Sequence, residues 1–445
     1  MVFEKIGVEV PKILLPKDGV DMRYWAIIAC DQYTSDREYW KRLATQTAGK
    51  LSTLPLIFPE VYLEDDDAES RIATINRTME QYLADGSLVE QRPGFILVDR
   101  KTSEVDSRKG LVLALDLEQY DYNKGAQSLI RATEGTILDR LPPRIKVREK
   151  APVELPHIMV LIDDPQRTVI EPLFDEQLDK TYDFELLENG GHIRGYRVDR
   201  SDLIEQVAGA LTQLADPDAY RKKYPGEEAV MLYAMGDGNH SFATAKAIWE
   251  RLKEEAVDKG AIMNHPARYA LVELVNIHDA GLEFEAIHRV LFNVNCIHLA
   301  QEMEKFFAAR NTPLTITSCD DLEQAEEIVA EAAESSAHAF PMVLAGKYAV
   351  CVIDNPEYTL TVASLQAFLD QYLKDYSTAR IDYIHGEDTV TTLGSKSGCA
   401  GFYLPAISKH DFFRTIIVDG ALPRKTFSMG EADEKRYYLE CRKIR

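Results

Sequence analysis

The alternation of apolar and polar residues predicts short buried strands that lead through glycine-containing turns into helices. The clearest example lies in the stretch 229–250. Its apolar run Ala229–Met235 has the length of a buried strand, and Phe242–Glu250 has the apolar spacing of a helix. Between them, Gly236-Asp237-Gly238 interrupts regular structure, because glycine adopts backbone angles that other residues resist. The pattern therefore predicts a strand, a glycine turn and a helix N-terminus in close succession.

The residues around this turn are suited to an anionic ligand. Gly236 and Gly238 let the backbone approach a phosphate closely, and Asn239 and Ser241 are favourable residues at the start of a helix. The N–H groups and the dipole at a helix N-terminus attract negative charge. We therefore expect these four residues to form a phosphate-binding or ligand-binding turn.

Two pairs of polar side chains come shortly after predicted strands. Asp237 and His240 lie in the glycine turn, where they could hold a metal ion or transfer a proton. The alternative interpretation is a tight turn in which both residues only cap the helix. Asp31 and Gln32 follow another apolar run, at a position where α/β units often bind ligands. The alternative there is that both residues only form the turn.

The rest of the pattern predicts mixed sheets with helices, and therefore an α+β fold. Thr181–Leu187 and His192–Val198 flank Asn-Gly-Gly, which predicts a hairpin. We predict a main domain over 1–294, which carries the segments RATE and GDGNH. A change to short alternating helices and strands predicts a smaller inserted α+β subdomain over 295–375. Segment 376–445 is predicted to return to the main domain.

Composition and net charge limit the classes of partner that the protein is expected to bind. The net charge of −22 over 445 residues argues against a general binder of nucleic acid or of anionic membranes. No apolar run approaches the roughly 20 residues that span a bilayer. The N-terminal residues lack the three regions of a signal peptide, and no two of the six cysteines are closer than 23 residues. These observations predict a cytoplasmic protein with reduced thiols and a small-molecule ligand.

A basic window in this acidic chain is a second candidate site. Arg131 and Glu134 open the window, and five further lysines and arginines follow up to Lys150. Such cations suit a polyanionic small molecule such as a nucleotide. Glu134, if it stays ionised among them, is a candidate metal ligand or general base. The alternative is a solvated face that balances the acidic surface. Arg424 and Lys425 form a later cationic turn that could also bind phosphate.

Further polar residues gather after predicted strands in the second half of the chain. Single histidines are more often packed than ligating, so each of them alone is a weak indication. This secondary cluster consists of His278, Asp279, His288, Arg289, His385 and Glu387.

Several segments together resemble the bacterial domain-of-unknown-function 1015 family. The resemblance runs from about residue 10 onward and so covers nearly the whole chain. That family carries no firm biochemical assignment, so the resemblance implies kinship more than function. The segments that carry it are DMRYWAIIACDQYTS, RATEGTI, PHIMVLIDDP, GDGNHSFATAKA, HDAGLEFEAIHR, DYIHGEDTV and LPRKTFSMGEADEKRYYLE.

The segment Asp-Gly-Asn-His also resembles the Asp-Gly-His-His-Arg motif of the ParB/sulfiredoxin superfamily, which includes free-serine kinases. This resemblance implies a ParB/sulfiredoxin-like core, with Asp237 and His240 at the phosphates or the phosphoryl acceptor and Glu134 as a catalytic carboxylate. The chain departs from the motif at Asn239 and Ser241. Because Ser241 replaces the motif's arginine, Arg131, Arg424 or Lys425 would have to supply the positive charge.

These features lead to one main hypothesis and two alternatives. The main hypothesis is a kinase-like phosphotransferase that uses Mg²⁺ and ATP or ADP and acts on a small metabolite, with Asp237 and Glu134 as metal ligands. The first alternative is a non-catalytic nucleotide-binding or ligand-binding regulatory protein, which the loss of the motif's arginine favours. The second is a metal-dependent hydrolase.

The chain contains no Walker A motif. The sequence leaves the oligomeric state open, a homodimer included.

Overall fold

The computed structural model describes residues 1–135, 141–333 and 335–445. These residues form two compact units, residues 1–283 with 430–445 and residues 284–429. Both units combine helices with sheets, which confirms the predicted α+β class and its mixed sheets.

The strands of the first unit before residue 283 are β1 (Val2–Phe3), β2 (Val8–Glu9), β3 (Ile13–Pro16), β4 (Ile27–Ile28), β5 (Leu88–Glu90), β6 (Phe95–Lys101), β7 (Arg108–Asp116), β8 (Tyr120–Asp121), β9 (Ile130–Arg131), β10 (Val153–Glu154), β11 (Met159–Ile162), β12 (Asp179–Glu185), β13 (His192–Val198), β14 (Tyr233–Asp237) and β15 (Tyr269–Asn276). Its helices are α1 (Met22–Trp25), α2 (Arg37–Gln46), α3 (Ala68–Ala84), α4 (Leu141–Arg148), α5 (Ser201–Leu214), α6 (Pro217–Lys223) and α7 (Asn239–Glu255). The hairpin predicted around Asn-Gly-Gly is confirmed as β12 and β13.

Strand direction in the main sheet decides which side chains meet. Along its principal path the order is β12-β13-β6-β7-β15-β11-β14-β9-β8. β11 runs parallel to β15 and antiparallel to β14. The ends of β15 and β11 therefore lie at one edge of the sheet, whereas β14 ends at the opposite edge, where Asp237 pairs with Met159.

Apolar residues cover both faces of this sheet. On β6, Phe95 and Leu97 face one core, and Ile96 and Val98 face the other. Helices α5 and α7 pack into the first core, and α2 and α3 pack into the second. Burial on both faces explains why the central strands are nearly continuous apolar runs.

Segment 430–445 completes the first unit. It contributes β24 (Tyr437–Tyr438), which pairs with β4, and β25 (Cys441–Lys443), which lies between β3 and β10. Arg436 in this segment is buried and bonds to two buried carboxylates. One is Glu273 on β15, and the other is Glu440, whose oxygen lies 2.6 Å from the guanidinium. A buried charge cluster therefore fixes the segment against the main sheet.

The second unit has its own six-stranded antiparallel sheet, in the order β18-β20-β19-β22-β17-β21. Its strands are β16 (Glu285–Ala286), β17 (His288–Phe292), β18 (Leu314–Cys319), β19 (His338–Leu344), β20 (Lys347–Ile353), β21 (Arg380–Ile384), β22 (Cys399–Phe402) and β23 (Phe427–Ser428). Its helices are α8 (Cys296–Ala308), α9 (Leu322–Ala332), α10 (Thr361–Asp375), α11 (Glu387–Gly394) and α12 (Lys409–Asp419).

The bounds of the units differ from the predicted division at 294 and 375. β17 pairs with β21 on one side and β22 on the other, so residues 288–292, 380–384 and 399–402 share one sheet. Local pattern does not indicate this pairing, because the partner strands lie about a hundred positions away in the sequence. Among the described residues, no helix combines the length and the apolar character that crossing a membrane requires.

Arg436→Met tests the buried charge cluster. The change leaves the carboxylates of Glu273 and Glu440 buried without their cation, so we expect a loss of roughly 3–5 kcal/mol in the free energy of unfolding. Urea denaturation of the full chain measures it. The control Arg77→Met removes an exposed arginine on α3 and should change the free energy by less than about 0.5 kcal/mol. Equal stability of the two variants would contradict the structural role of Arg436.

Candidate functional site

The order of strand, turn and helix is as predicted, but the bounds differ: β14 spans Tyr233–Asp237, so Gly236 and Asp237 belong to the strand and Gly238 alone separates it from α7. β14 ends at Asp237, Gly238 follows with φ of 81°, and α7 begins at Asn239. A Cβ atom on Gly238 would lie 3.0 Å from Ile158 Cγ1 and 3.1 Å from Ile158 Cα. Positive φ and this close approach both require glycine. The turn is therefore fixed tightly against the residues that precede β11.

The N-terminus of α7 is flanked by charged and polar groups. Its N-cap is Gly238, which has no side chain to accept from the first-turn N–H groups. Asp237 Oδ1 accepts a hydrogen bond from Gly238 N at 2.8 Å, and its Oδ2 lies 3.4 Å from Lys435 Nζ. Asp237 thus holds the turn and pairs with a cation, rather than capping α7 as the alternative interpretation proposed.

Asn239 joins the turn to the RATE segment. Its Oδ1 accepts from Thr133 N, and its Nδ2 donates to Thr133 Oγ1, both at 3.3 Å. Glu134 is the next residue and is half-buried. His240 is the second residue of α7, is half-buried, and accepts through its carbonyl from Thr244 Oγ1 at 2.7 Å. The part of the predicted basic window at 136–140 lies outside the described residues.

A buried histidine lies beside the turn. His157 Nε2 is 3.2 Å from Ser241 Oγ and 3.4 Å from Asp31 Oδ2. Its Nδ1 is 2.7 Å from Tyr438 OH, which donates to Cys30 Sγ at 3.0 Å. Four distant parts of the chain meet here, because β4 pairs with β24 and β11 pairs with β14.

Charge determines the protonation of this group. Burial alone would lower the pKa of His157, but the carboxylates of Asp31, Asp237 and Glu60 raise it above 6.5. Burial alone would raise the pKa of Asp31, but the charge and hydrogen bond of His157, followed by Gln32 and Lys435, lower it. His157 and Asp31 therefore form an ion pair next to Ser241.

Arg131 does not face the glycine turn. Its guanidinium is buried and donates to the carbonyls of Ser128 at 3.0 Å and Ala229 at 2.8 Å. Ser128 lies before β9 and Ala229 lies before β14, whereas the turn follows β14. Arg131 therefore supports the backbone, and the cation that the structure places beside Asp237 is Lys435.

His278 and Asp279 lie at the opposite edge of the main sheet. Both follow β15, and His278 Nε2 is 2.8 Å from Asp163 Oδ1, just after β11. Asp279 is buried and accepts from Gly281 N at 2.8 Å. Burial alone would raise the pKa of Asp163, but hydrogen bonds from His278, Lys223 and Tyr224 lower it to about 2. The structure does not bring this group together with Asp237.

The remaining predicted residues belong to the second unit. Arg289 is fully buried and donates to Gln366 Oε1 and to the carbonyl of Arg424, both at 3.2 Å. His288 Nδ1 accepts from the backbone of Leu404 at 3.0 Å. Burial, with the charges of Arg289 and His385, lowers the pKa of His288 to about 4, so it is neutral at pH 7. These groups are packed and hydrogen-bonded.

Four of these residues lie in less buried parts of the second unit. His385 Nδ1 is 3.6 Å from Glu285, Glu387 begins α11, and Arg424 is 3.5 Å from Asp370. Lys425 has a φ of 57°. Their roles in binding phosphate or in a secondary site stay predictions.

A family model described as protein of unknown function, DUF1015, matches residues 14–372. The chain belongs to the DUF1015 family. The resemblance found in the sequence is thereby confirmed over most of the chain. No curated protein matches this DUF1015 chain.

Solved structures are similar to this DUF1015 chain at low identity. A free serine kinase variant in complex with ADP is 11% identical, with 78% of this chain and 95% of that chain covered and a TM-score of 0.40. SbnI from Staphylococcus aureus, truncated at its C-terminus, is 10% identical, with 72% and 83% covered and a TM-score of 0.34. A conserved hypothetical protein from Pyrococcus furiosus is 11% identical, with 74% and 90% covered and a TM-score of 0.34.

Sequence reasoning missed three residues of the site in this DUF1015 chain. His157 lies two residues before β11, a position that carries no local signal for a ligand. Lys435 and Tyr438 lie in the closing stretch, nearly 200 positions after Asp237. The useful signal was Asp31, which was expected to bind a ligand because it follows a strand.

Gly238→Ala tests the tight turn. Alanine at positive φ, with its Cβ against Ile158, should cost at least about 1–2 kcal/mol in the free energy of unfolding. The matched control is Gly209→Ala in the interior of α5, where no atom lies within 4 Å of the added Cβ. That change should stabilise the protein by up to about 1 kcal/mol. Chemical denaturation of both variants measures the contrast, and changes of the same sign would contradict the described turn.

The His157–Asp31 ion pair predicts a pH dependence. Because the pKa of His157 is raised on folding, its stabilisation is complete below about 6.5 and is lost as pH rises through the raised value. Because the pKa of Asp31 is lowered, its stabilisation is present above its unfolded pKa and is lost on acidification. NMR titration should place the His157 midpoint above 6.5 in the wild type and lower in Asp31→Asn. The midpoint of His265, the control, should not move. A His157 midpoint unaffected by Asp31→Asn would contradict the pairing.

Proposed function

We propose that this DUF1015 protein is a Mg²⁺-dependent, nucleotide-using phosphotransferase that acts on a small metabolite. One observation carries the proposal. Asp237, Lys435 and the Asp31–His157 ion pair converge on the glycine turn at the N-terminus of α7. Phosphoryl transfer requires a phosphate cradle, positive charge and a carboxylate near the acceptor, and this group contains all three.

The phosphate cradle is the turn itself. Gly238 leaves the start of α7 without a side-chain cap, and the N-terminus of a helix favours phosphate oxygens through its backbone N–H groups and its dipole. Lys435 adds a point charge on one side, and its ammonium is largely shielded from solvent. The His157 imidazolium lies 3.2 Å from Ser241, and its charge is balanced by Asp31.

The carboxylates fit a magnesium ion. Magnesium is commonly held by one or two carboxylates together with substrate phosphates. Asp237 has a half-buried carboxylate, and its Oδ2 lies 3.4 Å from Lys435 Nζ. Glu134 directly follows Thr133, which is hydrogen-bonded to Asn239. These two residues would hold the ion, which would neutralise charge on the nucleotide phosphates when bound.

Transfer of the phosphoryl group from the nucleotide to the acceptor needs no further reactant. The bond between the terminal phosphorus of the nucleotide and its bridging oxygen breaks, and a bond from that phosphorus to the acceptor hydroxyl forms. The hydroxyl proton passes to a carboxylate, Asp237 or Glu134, and His240 at the start of α7 orients the reacting groups. The shortened nucleotide then leaves.

A non-catalytic nucleotide-binding protein is the second candidate. The observation that favours it is the placement of Arg131, whose guanidinium is bonded to backbone carbonyls away from the turn. Lys435 is then the main cation beside Asp237, and a single lysine supplies less transition-state stabilisation than an arginine fork. This candidate keeps the cradle and predicts binding without turnover.

Thermal unfolding with ATP or ADP, each with and without Mg²⁺, tests the proposal. A nucleotide at a hundred times its dissociation constant adds about 2.7 kcal/mol of stability, which should raise the melting temperature by several degrees. Asp237→Asn and Lys435→Met should each reduce that shift, because they remove the carboxylate and the cation at the turn.

Exposed residues of the same types supply matched controls. Asp66→Asn and Lys222→Met lie on the surface of the first unit and should keep the full nucleotide shift. Loss of the terminal phosphate from ATP in the presence of small hydroxyl compounds would distinguish transfer from binding. No shift with either nucleotide at millimolar concentration would refute the proposed function.

A further inference from the structure

A cavity of about 140 Å³ lies beside the glycine turn in the first unit. His157, Ser241 and Tyr438 lie next to one another on its wall and are called its polar end here. The rest of the wall carries Thr244, two ion pairs and a set of apolar residues that includes Leu56, Ile57, Phe58, Leu63, Met79 and Val147. An apolar cavity of about 150 Å³ holds one benzene molecule, so this one fits a body of about six to eight non-hydrogen atoms.

The charged side chains on the cavity wall already have partners of opposite charge. Glu60 is paired with Arg144, and Glu154 with Arg148 at 2.5 Å. His157 is paired with Asp31 at 3.4 Å. A charged ligand would bring an additional charge into a wall whose charges are balanced, and burying an uncompensated charge is costly. The cavity therefore selects a neutral molecule.

The polar end of the cavity can bond a hydroxyl group. Ser241 Oγ lies 3.2 Å from His157 Nε2 and has both donor and acceptor capacity. Ser241 is also the third residue of α7, so a hydroxyl bonded to it lies next to the helix N-terminus. Burial of the apolar body and one directed hydrogen bond would together orient the ligand.

We propose that this cavity binds the phosphoryl acceptor, and that the acceptor is a neutral molecule with a compact apolar body and one hydroxyl directed to Ser241. This proposal goes one step beyond the proposed function, and the identification of the ligand as a phosphoryl acceptor rests on that function. The binding site itself rests on the cavity, its balanced charges and the hydroxyl of Ser241.

Ligand-observed NMR on the full chain, without nucleotide, tests the site. Benzyl alcohol and cyclohexanol are the neutral probes. Benzoate and benzylamine are charged probes of similar size, and toluene lacks the hydroxyl. We expect both alcohols to bind at millimolar concentration, and the charged probes to bind at least about tenfold more weakly. Toluene should also bind more weakly than benzyl alcohol, and Ser241→Ala should remove that difference.

Cavity-filling variants locate the binding. Val147→Phe adds a ring from half-buried Val147 on α4 and should weaken benzyl alcohol binding at least about tenfold. Val257→Phe is the matched control, because Val257 is fully exposed, and it should leave binding unchanged. Leu63→Trp fills the cavity from another side, which keeps the test valid if Val147→Phe fails to fold.

The outcomes separate this inference from the proposed function. Alcohol binding that both filling variants abolish supports the pocket, even if nucleotides shift nothing and phosphoryl transfer is refuted. Binding that survives both variants, charged probes that bind as tightly as alcohols, or no alcohol binding at millimolar concentration would overturn the inference. Nucleotide-dependent transfer to benzyl alcohol, lost in Val147→Phe and kept in Val257→Phe, would support both proposals together.

Discussion

The candidate site depends on one buried interaction, the guanidinium of Arg436 between the carboxylates of Glu273 and Glu440. Arg436 also donates to the carbonyl of Pro156 at 3.3 Å, next to His157. The arginine thus connects the main sheet, the residues before β11 and the segment that carries Lys435 and Tyr438. Desolvation makes such a cluster costly unless every member is paired. The geometry of the site is therefore coupled to the completeness of this cluster.

Strand direction explains why the polar residues separate into two groups. β11 is antiparallel to β14, so His157 before β11 lies near Asp237 at the end of β14. β11 is parallel to β15, so Asp163 and His278, which follow these strands, meet at the other edge. Residues that follow strands in the same way along the sequence can therefore lie at opposite ends of one sheet. Only the pairing of the strands decides between the two edges.

The sequence was sufficient for features that arise from neighbouring residues. It predicted the turn at Gly238, the hairpin of β12 and β13 and the position of Asp31 after a strand, because backbone preference and apolar spacing act over a few residues. It could not indicate His157, Lys435 or the burial of Arg131, because these depend on contacts between distant segments. The basic window that begins at Arg131 predicts positive charge, but the pattern does not indicate that the guanidinium of Arg131 donates to backbone carbonyls. The bounds of the two units also depend on distant contacts, since β17 pairs with strands far along the chain.

The return of segment 430–445 to the first unit has a consequence for biosynthesis. A ribosome adds residues in order, so a growing chain that ends at residue 429 has all of Asp31, His157, Asp237 and α7 but lacks Lys435, Arg436 and Tyr438. Arg436, the partner of Glu273, is therefore added only after the whole second unit has been synthesised. The residues of the candidate site are all present only once segment 430–445 has been translated.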